Sequence, residues 1–228
     1  MLKDNRVKIV IGHYGSGKTE FSINYAVKLA KLDKKVTLVD LDIVNLYFRS
    51  REKASMLESL GISLIGSSIK ASSLDLPAVS PAVAAVFSDQ SSEAILDIGG
   101  DPAGARTLGR YKEQLKDGNY DMFFVLNRYR KETDTVDKAI SYIREIEKVS
   151  RAKVTGIVSN AHFLKSTTIE DILDGTLLSQ EVSQKTGIPL KYITVLKELE
   201  EDLKAELPEE LQEKIFPIEL YMREEWMV

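Results

Sequence analysis

Residues Lys8–Glu20 read KIVIGHYGSGKTE. The apolar run Val7–Ile11, rich in Val and Ile, predicts a short buried strand. It leads into G-x-x-x-x-G-K-T, from Gly12 to Thr19. Phe21, Tyr25, Leu29 and Leu32 then recur at helical spacing. Strand, glycine loop and amphipathic helix, in that order, form a grip for phosphate. Gly12, Gly15 and Gly17 can take positive φ, which turns successive backbone N–H groups into one concavity. The helix adds its positive N-terminal end. Lys18 is placed to reach the β- and γ-phosphates of a nucleotide, and Thr19 to set its hydroxyl on Mg²⁺. Ser16 and Glu20 lie in the same loop-to-helix junction and join the expected nucleotide-binding residues. The plain alternative is a glycine turn that only links strand to helix. The flanking strand and helix speak against it.

Further strands are expected at Val36–Val39, Ala94–Ile98, Met122–Leu126, Val154–Val158 and Tyr192–Leu196. Helical patterns alternate with them, as in TVDKAISYIREIEKV, where Val136, Ile140, Ile143 and Ile146 share a face. TTIEDILDG opens with Thr167 followed three residues later by Glu170, the pattern of a capping box. This alternation predicts an α/β fold with a mostly parallel sheet and helices on both faces. One domain over residues 1–228 is expected, since no Pro/Gly/Ser linker divides the chain. An acidic helical tail is expected from about residue 197. Residues 197–228 hold 4 Lys and Arg against 11 Asp and Glu, the composition of a solvated helical face. Residues 67–92 read as a loop followed by a short helix after Pro81.

Composition removes several function classes. There is no cysteine, hence no disulfide, thiolate metal site or iron–sulfur cluster. No apolar run approaches the length of a membrane span. The opening MLKDNRVKIV lacks the apolar core of a signal peptide, so a cytoplasmic location is expected. Net charge is −4, which disfavours nucleic acid as a partner. The one local cationic excess, 11 Lys and Arg against 6 Asp and Glu in residues 1–53, surrounds the phosphate loop. The closing IFPIELYMREEWMV is apolar but not basic, which argues against membrane docking through the tail.

Two acidic motifs accompany the loop. In VTLVDLDIVNLYFRSRE a strand ends in Asp40 and Asp42, on one side of the chain by the period of two. Carboxylates there sit where α/β sheets bind ligands. One can hold a metal's water shell, the other can orient an attacking water. Arg49 and Arg51 follow. In AILDIGGDPAGARTLGRY a strand delivers Asp97, then Gly99, Gly100 and Asp101. An acid after such a strand holds Mg²⁺ directly or through water. The diglycine can bring a backbone N–H to the γ-phosphate and relax when it leaves. Two later strands end in Asn127 and Asn160, whose amides offer a donor and an acceptor to a base edge. Neither is followed by Lys-x-Asp, the guanine-selective pattern, so ATP is expected rather than GTP. His162 reads as a loop residue.

Glycine loop, D-x-D and D-x-G-G, in this order and spacing, resemble the MinD/ParA/CobQ-type P-loop ATPases from Val7 to about Leu196. Within that span VDLDIVNLYFRSRE and DLPAVSP are similar to a bacterial branch of ATP-binding proteins, which commonly has proline where this chain has Leu46. The resemblance implies the P-loop NTPase fold, ATP and Mg²⁺. It implies that Lys18 and Thr19 bind phosphate and metal, that Asp42 positions the attacking water, and that Asp40 and Asp97 organise the metal. Asn160 matches the family's adenine-side asparagine better than Asn127. His13 departs from it: many members carry a second lysine there, which crosses a homodimer interface to the partner's nucleotide. Histidine is shorter and, in ordinary surroundings, mostly uncharged at pH 7. Arg49, Arg51 and Arg106 are the candidates for that charge. The expected activity is slow ATP hydrolysis by a switch that changes its protein partner with the nucleotide. The alternative is a small-molecule kinase or ATP-dependent ligase on the same scaffold, with an acceptor site in residues 67–92 or the tail.

Overall fold

The computed structural model describes residues 3–41, 54–66, 81–116 and 118–222. The elements are β1 Val7–Ile11, α1 Lys18–Ala30, β2 Val36–Leu41, α2 Ala54–Ser59, β3 Ile62–Gly66 and α3 Pro81–Ser88. β4 Glu93–Ile98, α4 Pro102–Arg106, β5 Tyr120–Leu126, α5 Val136–Ser150 and β6 Gly156–Ser159 follow. The chain continues through α6 Ile169–Thr186, β7 Leu190–Leu196, α7 Glu200–Glu206, α8 Glu209–Gln212 and β8 Ile215–Ile218. The strands form one eight-stranded sheet, ordered β3-β2-β4-β1-β5-β6-β7-β8. Every neighbouring pair is parallel.

A parallel sheet needs cover on both faces, and the strand composition reflects it. All five residues of β1 and all seven of β5 are buried. Even Lys8 is 1% exposed; its ammonium is paired with Glu93 and donates to the Arg6 carbonyl. The face opposite to Ile9 and Ile11 is covered by α1 and α2, through Phe21, Ile23, Val27 and Leu57. The other face packs on α3 to α8, through residues such as Val83, Ile143, Val182 and Leu203. Burial of this kind contributes about 1.5–3 kcal/mol per large apolar side chain, and so holds the sheet against its conformational entropy.

The six expected strands are all present, each within a few residues of its expected limits. The two edge strands were not expected. β8 contains Pro217, which lacks an N–H and is tolerated only at an edge or a bulge. The acidic stretch is thus helical at α7 and α8 and then returns to the sheet. The capping expectation shifts by one residue. Thr168 caps α6, with Asp171 closing the box, while Thr167 Oγ1 accepts from Phe163 N and donates to Leu164 O. The short helix expected after Pro81 is α3; residues 67–80 lie outside the described residues. Among the described residues no helix is long and apolar enough to cross a membrane.

Candidate nucleotide site

The chain leaves β1 for the outer strands β2 and β3, returns to β4 beside β1, and then crosses to β5 on the other side. Such a reversal opens a crevice at the carboxyl ends of the strands, where α/β folds bind ligands. Every candidate residue described lies there or on the helix that follows.

Gly17 is the N-cap of α1 at φ 91, and a Cβ on it would collide with the Asn160 amide. With no side chain to cap the first turn, the N–H groups at the start of α1 face a prospective anion. Lys18 is 6% exposed and donates from Nζ to the His13 carbonyl at 3.2 Å. A Cβ on Gly100 would lie 2.7 Å from that same Nζ and 2.7 Å from the Tyr14 nitrogen. The diglycine turn after β4 therefore touches the phosphate loop. The Ser16 hydroxyl is buried with no partner among the described residues, and its N–H donates to His13 O at 3.1 Å.

The acids sit beside the loop. Asp40 pairs in register with Asp97 across β2 and β4, and Asp97 pairs with Val10 across β4 and β1. Both carboxylates are buried, Asp40 at 2% and Asp97 at 1% exposure. Among the described residues no group of three His, Cys, Asp or Glu could hold a metal by itself. Mg²⁺ is seldom held that way: it usually takes one or two carboxylates together with phosphate oxygens and water. Asp40, Asp97 and the Thr19 hydroxyl fit that donor set. Asp42, Leu46, Arg49 and Arg51 lie outside the described residues. Arg106 ends α4 and is exposed, and Asp101 serves as the N-cap of α4, accepting from Gly104 N at 2.7 Å.

From Lys18 and Thr19 a cleft of about 560 Å³ runs past Asn160 to an apolar end lined by Leu196, Ile218 and Leu220. Two residues expected as ligands also hold this cleft together. Asn160, 2% exposed, donates from Nδ2 to Ser16 O at 2.6 Å and accepts from the Thr194 hydroxyl. Its amide ties the phosphate loop to β7. Glu20 lines the cleft as well. It accepts the backbone N–H groups of Tyr221 at 2.5 Å and Met222 at 3.1 Å. Asn24 adds two bonds to Glu219, both at 2.8 Å. Together they strap the segment after β8 onto α1 as one wall of the cleft.

Asn127 is no base reader. It is fully buried, and its Oδ1 and carbonyl accept from Tyr129 N at 3.0 Å and Arg130 N at 3.2 Å. It winds the turn after β5, which reaches the phosphate loop twice. Arg130 Nε donates to Gly15 O at 2.8 Å, and Glu132 lies 3.5 Å from His13 Nε2. His13 also meets Tyr142 edge-on at 5.5 Å, and the Tyr142 hydroxyl donates to Gly100 O at 2.5 Å. Burial, with Asp101, Glu145 and Glu132 nearby, pushes that hydroxyl's pKa up to about 12, so it remains a donor. His13 is thus engaged within its own chain. The sequence reading missed Arg130, Glu132 and Tyr142. The signal available was NRYRKE, charges placed directly after a buried strand.

A glycine loop between β1 and α1, a buried acid ending β4 and a diglycine folded back onto the loop define a P-loop nucleotide-binding domain. The family model of the CobQ/CobB/MinD/ParA nucleotide binding domain matches residues 9–169, and the chain belongs to that family. Among solved structures it is similar to the cell division protein FtsY of Thermotoga maritima, at 21% identity over 83% of this chain and 61% of that one, with a TM-score of 0.55. It is also similar to the signal recognition particle receptor FtsY of Elizabethkingia anophelis in complex with GDP, at 19% identity, 86% and 58% coverage and a TM-score of 0.51. A nucleotide-binding protein of Archaeoglobus fulgidus in complex with ADP shares 18% identity over 96% and 94% of the two chains, with a TM-score of 0.50. The chain spans about three-fifths of the length of the two FtsY structures. At these identities the likeness is one of fold. No curated protein matches the chain in sequence.

Proposed function

We propose that the protein is an ATP-binding, Mg²⁺-dependent ATPase that works as a nucleotide-driven switch. One observation carries the reading. The Lys18 ammonium lies at the seam between the phosphate loop and Gly100, beside the strands that present Asp97 and its in-register neighbour Asp40. Phosphate grip, metal-holding acids and a turn able to sense the γ-phosphate thus converge on one point.

The N–H groups at the start of α1 receive the phosphates, and Lys18 exchanges the His13 carbonyl for a phosphate oxygen. Thr19, Asp40 and Asp97 would hold the metal. Mg²⁺, when bound, neutralises charge that develops on the phosphate oxygens. Asp42 orients the water that attacks the γ-phosphorus and draws its proton as the new P–O bond forms and the bond to ADP breaks. The Gly100 N–H follows the γ-phosphate and relaxes on its loss, which changes the surface offered to a partner. The apolar end of the cleft takes the base. Adenine is preferred, because neither Asn127 nor Asn160 leads a Lys-x-Asp and an aspartate is what pairs with guanine's ring N–H and amino group.

Calorimetric titration with Mg-ATP and Mg-GTP tests this. The wild type is expected to bind ATP more tightly, and folded Lys18→Ala to lose measurable ATP binding. Equal or tighter GTP binding overturns the base assignment. Wild-type affinity in Lys18→Ala overturns the phosphate site.

A further inference from the structure

Histidine, not lysine, stands at position 13, and Arg130 sets a permanent cation beside the same loop. β5 lies directly beside β1, so the turn after β5 runs alongside the phosphate loop. That turn is held by its own hydrogen bonds. Asn127 accepts from Tyr129 N and Arg130 N, Thr133 closes it by donating from its hydroxyl to Asn127 O at 3.1 Å, and Tyr129 anchors it to Asp171 on α6 at 2.7 Å. Arg130 Nε then donates to Gly15 O at 2.8 Å, which lays the guanidinium on the loop. A Cβ on Gly15 would stand 3.1 to 3.3 Å from Nε, Cζ and Nη2, so a glycine makes the room this close approach needs.

The bond through Nε leaves the two Nη groups as donors. Among the described residues no carboxylate pairs with them, whereas the neighbouring Arg128 lies 3.6 Å from Asp174. Arg130 lines the same cleft as Lys18 and Thr19. A planar guanidinium with two parallel donors matches the oxygens of a phosphate.

We propose that Arg130 is a phosphate ligand supplied in cis: its Nη groups bind a phosphate oxygen of the nucleotide held by its own chain. This rests on the nucleotide reading of the cleft given above. It assigns the role to a residue outside Arg49, Arg51 and Arg106, and it lets one chain assemble the cationic grip alone.

The test is calorimetric titration of the full chain with Mg-ATP across a series of salt concentrations, for the wild type, Arg130→Ala, Arg130→Lys and Arg128→Ala. Loss of a charge-assisted contact predicts a fall in affinity of roughly tenfold to hundredfold in Arg130→Ala. The salt dependence of binding should become shallower, since one opposed charge is gone. Arg130→Lys should recover the salt dependence and part of the affinity, and Arg128→Ala should match the wild type. A cooperative melt without nucleotide, lowered by only about 1–6 °C for the lost Gly15 bond, separates ligand loss from misfolding. Wild-type ATP affinity in Arg130→Ala overturns the proposal, as does a loss of affinity with unchanged salt dependence, which would make the arginine a mere prop of the loop. A wild type that binds neither ATP nor GTP removes the nucleotide reading and this proposal together, and is recognised because the unsubstituted protein itself fails.

Discussion

Asn160→Ala distinguishes a loop clamp from a base reader. The substitution removes the donor at 2.6 Å from Ser16 O and the acceptor of the Thr194 hydroxyl. Thr194 loses little, because it also donates to Ser159 O at 3.1 Å. Ser16 O has the larger loss: it lies under the loop at a residue with 0% exposure, where replacement by water is hindered. An acceptor orphaned in this way costs about 1–3 kcal/mol. For a chain of this size each kcal/mol moves the melting temperature by roughly 2–4 °C, so a fall of roughly 2–12 °C is expected. Thermal unfolding followed by circular dichroism, without nucleotide, measures it. A residue that only read adenine would leave the nucleotide-free melting point where it was. An unchanged melting point with ATP affinity lost would therefore refute the clamp and return Asn160 to the base.

Gly100→Ala places a methyl group 2.7 Å from the Tyr14 nitrogen and 2.9 Å from its Cα, where backbone cannot yield as the lysine tip can. Overpacking of this kind costs about 1–3 kcal/mol, and parting the diglycine from the loop should also slow ATP turnover; stability and hydrolysis equal to wild type would refute the contact. Asp42→Asn should retain ATP binding and lose hydrolysis by a factor of about 10² to 10⁴, read as phosphate release under saturating ATP; undiminished turnover would shift the water-positioning role to Asp40 or Asp97. If the family's homodimer survives without the second lysine, the same variant elutes as a homodimer with Mg-ATP and as a smaller species without, by size exclusion with light scattering; a monomer in both states removes the homodimer.

Much of this protein is local in origin and was legible in the chain. KIVIGHYGSGKTE specifies strand, loop and helix within thirteen residues, because apolar runs, glycines and helical spacing act on near neighbours. The six inner strands announced themselves by their Val and Ile, since strands buried on both faces are predominantly apolar. The edge strands carry a weaker signal: half-covered β3 is only partly buried, and β8 includes a proline. The roles of single polar residues were decided in the tertiary fold. Asn160 and Arg130 reach the phosphate loop across 144 and 115 residues of chain, and Glu20 reaches Tyr221 across 201. An asparagine, an arginine or a glutamate has the same donors and acceptors wherever it stands. What it binds follows from which strand ends the sheet order β4-β1-β5-β6-β7 brings side by side, and that order is set by packing between segments far apart in sequence.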